Sequence, residues 1–333
     1  MQHSISLYFG GTAYLGIPYN EEFRKLFIRG MEIYGVNHGA SRNNNITLDI
    51  FSIAESEAAN RFGSEAAILV SSGYLSAQLV IQKFSQSHQL IYAPETHPAL
   101  WIGIPKSPMM KFYDWVSQTI RTVNSTSKPC MIITNSVNNL IPETYDFSWL
   151  SQIESGRGHI LLVDDSHGIG ITGEHGEGAY KKLIEFNSIE TIVISSLAKA
   201  LGTDAGIILS KKNLIRELRK TPIYAGSSPP SPGALYAFTN AGSVFSDELK
   251  KLRFNLRYFT DLLVSTKGLF FIPDFPVFLV LDDQLAAYLK KNGINFSSFP
   301  YPDPNGKSLH RLIISSIHTK DELEILSGLI NRF

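Results

Sequence analysis

The sequence predicts an α/β fold in which helices sandwich a mostly parallel sheet, followed by a smaller C-terminal α+β domain. Three observations predict it. Short apolar segments at 66–70, 131–134, 160–163, 191–195 and 206–210 read as buried strands. Helix-length or loop-length connections separate them, the alternation expected of a sheet covered on both faces. The 333 residues, 44% of them hydrophobic, suffice for one large core with a smaller partner.

Taken in order, residues 1–45 show weak periodicity and many Gly and Asn, and are read as a segment packing on the small domain and the mouth of the site. Phe51, Ala54, Ala58 and Phe62 recur at helical spacing, and Gly63 then stops that helix. The period next switches to a strand at 66–70, a tight turn at 71–73 and a helix at 74–84. From 231 to about 266 a long helical pattern, with Leu249, Leu252, Leu256 and Phe259 on one stripe, leaves the sheet for the C-terminal part. Thr319 and Glu322 form the signature of a capping box that starts a last helix, with Leu323, Leu326, Ile330 and Phe333 as its buried face. The expected division is 1–45, a large domain over 46–235 and a small domain over 236–333.

Thirty basic residues balance thirty acidic ones with no block of like charge, so the electrostatic footprint of a nucleic-acid binder is missing. Cys130 is the only cysteine, which rules out an intramolecular disulfide and a thiolate zinc site. No metal is expected. The start of the chain lacks a basic and then apolar leader pattern, and the longest apolar runs are broken by Pro273 and Pro276, far short of a membrane span. A cytoplasmic protein with neither membrane nor nucleic acid as partner is the expectation.

In α/β sheets ligands gather where the strands end, so the residues just past each strand carry the functional reading. There the sequence has Ser71-Ser72-Gly73-Tyr74, Asp164-Asp165-Ser166-His167 and Ser195-Ser196 with Lys199. Singly these decide nothing, since a strand-end Asp often caps a turn, Ser before Gly often caps a helix, and a lone Lys is usually a solvated charge. Together they match one cofactor, pyridoxal 5'-phosphate (PLP). Its phosphate suits backbone N–H groups at a helix N-terminus, which Gly73 and Tyr74 supply; its pyridine nitrogen wants a carboxylate; its aldehyde wants a lysine amine. Adjacent strand residues face opposite ways, so only one of Asp164 and Asp165 reaches the ring.

With these residues in view, nearly the whole chain resembles the α-oxoamine synthases, PLP enzymes of fold type I. Four stretches carry the resemblance: Tyr14-Leu15-Gly16, GSEAAILVSSGYLSA from Gly63, VDDSHGIGITGEHGEG from Val163 and SSLAKALG from Ser195. The resemblance implies that Lys199 is the Schiff-base lysine, that Ser196 donates to the phosphate beside Ser72, Gly73 and Tyr74, and that Asp164 holds the pyridine nitrogen. It implies that His167 bonds the phenolic oxygen, that His97 stacks on the ring, and that Ser136 lies near the ring oxygen. It further implies that Ser227 reaches the phosphate site of a neighbouring copy in a homodimer, and that Arg311 pairs with the substrate's α-carboxylate, a task that suits its planar fork.

The departures fall on the substrate side. The N-terminal arm is short, Ala13 stands where the family has asparagine, and Phe51 stands where it has a histidine. Gly202-Thr203 followed by Asp204 replaces a Gly-Gly pair. The expected reaction is condensation of an amino acid with an acyl-CoA or acyl-carrier thioester, with decarboxylation; alanine with a pimeloyl thioester, as in biotin synthesis, is the first pair to test. The alternatives are an aminotransferase or aldolase on the same fold, and a noncatalytic subunit of a heteromeric complex.

Overall fold

The computed structural model describes residues 6–103, 108–138, 140–300 and 305–333; the opening residues read for a leader lie outside them. Its main sheet has six strands in the order Ala66–Val70, Gly206–Ser210, Glu190–Ser196, Ile160–Asp164, Cys130–Asn135, Gln89–Tyr92. Only Gly206–Ser210 runs antiparallel to its neighbours.

Side chains alternate across this sheet, so each strand feeds two cores. Ile160, Leu162, Ile192 and Ile194 pack on one face with Ala77, Leu79, Val80 and Ile81 of the helix Gly73–Phe84. Leu161, Val163 and Val193 pack on the other, with Phe51, Ala54, Ala58 and Phe62 of the helix Ile50–Phe62. That helix ends at Gly63 in the left-handed region, φ 74°. The register aligns Asn135 with Asp164 and Asp164 with Ile194, which sets the carboxyl ends of three central strands along one rim.

A second, four-stranded antiparallel sheet, in the order Ser297–Pro300, Ser308–Ile313, Val277–Val280, Leu269–Phe270, forms the smaller layer. Leu249, Leu252, Leu256 and Phe259 are all buried, as the stripe predicts. The long helical pattern is nevertheless two helices, Pro232–Asn240 and Gly242–Leu262, broken at Ala241 where low-propensity Asn240 and Gly242 flank it. The closing helix Lys320–Arg332 carries the predicted capping box, with Thr319 N–H 2.8 Å from Glu322 Oε2 and Glu322 N–H 3.3 Å from Thr319 Oγ1. Phe333 lies beyond its last turn and is exposed, which corrects its assignment to the buried face.

The N-terminal segment is more ordered than its sequence suggests. Leu7–Tyr8 pairs in parallel with Ile294–Asn295, and Phe9 and Tyr14 carbonyls accept from Ile313 and Ser316 N–H groups at 2.8 and 3.1 Å. Glu21–Tyr34 is a helix capped by Asn20, whose Oδ1 accepts from Phe23 N–H at 3.0 Å. It packs on the helix Pro232–Asn240 through Gly30, where a Cβ would come within 2.6 Å of Tyr236 Cβ and 2.9 Å of Gly233 Cα. Among the described residues no helix is long and apolar enough to cross a membrane.

Candidate active site

Because Asp164 continues the parity of Ile160 and Leu162, its carboxylate emerges on the face of the helix Gly73–Phe84. It lines a cavity of about 370 Å³ at the rim, together with Gly73, Tyr74, His97, Ser166, Ser196 and Lys199. Asp165 has the opposite parity and is fully buried; its Oδ2 accepts from Ala179 N–H at 2.7 Å and its Oδ1 from the Ser136 hydroxyl. Burial is the main reason that the Asp165 carboxyl is pushed up to about 7.

The N-terminus of the helix Gly73–Phe84 faces the cavity. Ser72 caps it, accepting from Leu75 N–H at 3.1 Å, while the first-turn N–H groups of Gly73 and Tyr74 have no acceptor within an α-helix. Gly73 is required by close approach: a Cβ there would stand 2.6 Å from Ser196 Cβ and 2.8 Å from its Cα. Ser196 ends its strand with its backbone N–H donating to Ser166 Oγ at 2.9 Å, and Ser166 N–H donates to Asp164 Oδ1 at 2.9 Å.

Lys199 rides the loop that returns the strand Glu190–Ser196 to its antiparallel neighbour, a loop closed by Leu197 N–H to Ala205 O at 2.9 Å. Its Nζ is 2.9 Å from His167 Nε2, and Tyr14 Oη is 2.8 Å from His167 Nδ1. Desolvation pulls the Lys199 amine down to about 8; the Asp164 carboxylate opposes this shift and the Arg311 guanidinium adds to it. The same burial, with the charges of Lys199 and Arg311, holds His167 well below the usual imidazole range. His97 is also lowered by burial, with Asp164 opposing and Lys199 assisting.

His97 sits on a loop held by Asn135, whose Nδ2 donates to Glu95 O at 2.9 Å and whose Oδ1 accepts from His97 N–H at 3.4 Å. Arg311, on the strand Ser308–Ile313 of the smaller sheet, is within hydrogen-bonding reach of Tyr14. Its Nε is buried without a partner, so the guanidinium keeps donor capacity for an anion. Of the predicted residues, Gly73, Tyr74, His97, Asp164, Ser196 and Lys199 line the cavity, Ser72 adjoins it at the helix cap, His167 adjoins it through Lys199, and Arg311 acts on Lys199 through its charge. Ser136 turns away to Asp165 because it follows the other face of the sheet. Ser227, expected at a neighbouring copy's site, donates within its own chain to Tyr224 O at 3.3 Å, just past the short helix Pro222–Gly226.

The sequence alone assigns no role to Ser166, Asn135 or Tyr14. Ser166 was legible, since it shares the DDSH run. The place of Tyr14 was not, because 153 residues separate it from His167.

The chain matches the family model of aminotransferase class I and II over residues 21–329. It is similar to the 8-amino-7-oxononanoate synthases of Thermosipho melanesiensis and Petrotoga mobilis, each 29% identical over 93% of this chain and 84% of the relative. Among solved structures it resembles a serine palmitoyltransferase from S. paucimobilis with a bound PLP–myriocin aldimine, at TM-score 0.80 and 18% identity over 98% of this chain and 87% of the other. It also resembles the 8-amino-7-oxononanoate synthase of Francisella tularensis, at TM-score 0.71 and 20% identity over 98% and 97%. The chain belongs to the aminotransferase class I and II family, has fold type I and is a PLP-dependent transferase.

Proposed function

We propose that the protein joins an α-amino acid to an acyl thioester with loss of carbon dioxide, in the manner of 8-amino-7-oxononanoate synthase. The observation that carries this reading is the convergence on one cavity of Lys199, Asp164, His97 and a glycine-opened helix N-terminus, with His167 on the lysine. That donor set fits PLP. Gly73 and Tyr74 N–H groups and the Ser196 hydroxyl would hold the phosphate, with Ser72 ordering the turn; Asp164 would hold the pyridine nitrogen, His167 the phenolic oxygen, and His97 the ring face.

When bound, PLP supplies an electron sink for the pair left as a bond to the substrate's α-carbon breaks. The chain's residues do the rest. Lys199, with its amine at about 8, has a usable free-base fraction near neutral pH and takes the α-proton. Arg311 grips the α-carboxylate through its fork, which fixes the substrate against the lysine.

An acyl chain has a neighbouring site to enter. A cavity of about 870 Å³ shares Pro98 with the first and is lined by Trp101, Met110, Phe112, Leu140 and Ile141. The large domain over 46–235 would carry the cofactor residues and the small domain over 236–333 would carry Arg311, in a cytoplasmic homodimer whose Ser227 reaches the neighbouring copy's phosphate site.

Incubation of the PLP-loaded protein with alanine and a panel of acyl thioesters, pimeloyl first, should release free thiol and yield an α-aminoketone by mass spectrometry. Amino-group transfer or aldol cleavage without thiol release across the panel would overturn this reading in favour of an aminotransferase or aldolase.

A further inference from the structure

The imidazole of His167 lies between Lys199 and Tyr14, and the chemistry of its two contacts is directional. A neutral imidazole has one donor and one acceptor nitrogen. While Lys199 is an ammonium it has only hydrogens to give, so Nε2, 2.9 Å away, must accept. The ring proton then sits on Nδ1, and Tyr14 Oη, 2.8 Å away, must receive it. Once Lys199 is a free amine it keeps N–H donors but gains a lone pair, so it no longer forces Nε2 to accept, and the ring proton is free to move to Nε2. In that tautomer Nδ1 is bare, and the tyrosine must donate.

We propose, on the basis of the cofactor reading above, that Tyr14 is a positioning residue that lets His167 reverse its tautomer as Lys199 gains and loses its proton. A phenol both accepts and donates at one oxygen. Three further observations support this role. Tyr14 is fully buried, so no bulk water replaces its oxygen at Nδ1. Burial together with the charges of Lys199, Arg311 and His97 disfavours an imidazolium, which leaves the two neutral tautomers as the working states. Arg311 also reaches the Tyr14 hydroxyl and biases that oxygen toward accepting. An anion seated on Arg311 relaxes this bias, which links the arginine to the lysine through two side chains; the Asp164 carboxylate acts directly on Lys199.

The test is nitrogen NMR of cofactor-free protein carrying ¹⁵N-histidine, with the His167 signals assigned by their loss in His167→Gln. In the wild type, Nδ1 should change from protonated to bare, and Nε2 the reverse, between about pH 6 and pH 10 as the lysine titrates. In Tyr14→Phe, which keeps the ring packed near Phe275, the reversal should be lost while the melting temperature is retained. Identical His167 nitrogen shifts in the two proteins across that range would sink the proposal. Whether PLP binds at all is read separately, from loss of its visible absorbance in Lys199→Ala, so failure of the cofactor reading is distinguishable.

Discussion

Asp164 and Asp165 are adjacent in sequence and opposite in orientation. The first opens into the cavity with Lys199, and the second is sealed beneath the sheet by Ser136 and Ala179. This relationship predicts different failures. Asp164→Asn should keep its fold and lose about 10²- to 10³-fold in kcat, because it removes a preorganised charge from the site. Asp165→Ala should lose stability, since it strands two buried donors at roughly 1–3 kcal/mol each. Urea unfolding and steady-state kinetics on both variants separate the two, and equal kinetic losses with equal stabilities would contradict the assignment.

The buried Asp165 carboxyl also makes stability depend on pH. Its folded value, about 7, lies above the roughly 4 of an unfolded aspartate, so the native state holds a proton that the unfolded state has lost. This contribution is fully present below about pH 4 and is lost as pH rises to about 7. Asp165→Asn removes that dependence. Its stability relative to wild type should therefore climb by on the order of a few kcal/mol between pH 4 and 7 and then level off. A constant difference across that window would show that Asp165 titrates normally.

Lys199 should show the mirror behaviour in its reactivity. In cofactor-free protein the rate of PLP capture should rise with pH and level off above about 8, where the amine is free. Because the Arg311 guanidinium presses this amine down, Arg311→Gln should move the midpoint upward. Because the Asp164 carboxylate supports the ammonium, Asp164→Asn should move it downward. Stopped-flow absorbance checks both signs.

Much of the frame was legible because the central strands are continuous runs of buried aliphatic residues, which an α/β sheet covered on both faces requires. Parity said that only one of Asp164 and Asp165 could reach the ring, and the resemblance pointed to Asp164, which the structure sets on the same face as Ser196. What escaped was set by partners remote in sequence. Gln89–Tyr92 lies at the sheet edge with only partly buried side chains, so it carries no run to detect. Glu21–Tyr34 packs through Gly30, a residue that reads as a helix breaker until Gly233 is known to lie opposite. Tyr14 belongs to a recognised motif, yet its bond to His167 depends on the N-terminal segment following the small sheet.

Gly73 joins the fold to the chemistry, and a single methyl group tests the join. Its missing Cβ lets the helix N-terminus touch the end of the strand carrying Ser196, with 2.6 Å between the would-be Cβ and Ser196 Cβ. Both partners are fixed: Ser196 N–H is bonded to Ser166, and the helix is capped by Ser72. Alanine must therefore push the helix start away from the rim. Overpacking of this kind costs about 1–3 kcal/mol, visible as a lower melting temperature. The displaced N–H groups should also weaken anion binding, so the affinity of cofactor-free protein for inorganic phosphate and for PLP should fall together. Pyridoxal, which lacks the phosphate, should lose far less. Equal losses for PLP and pyridoxal would place the phosphate elsewhere than at this helix.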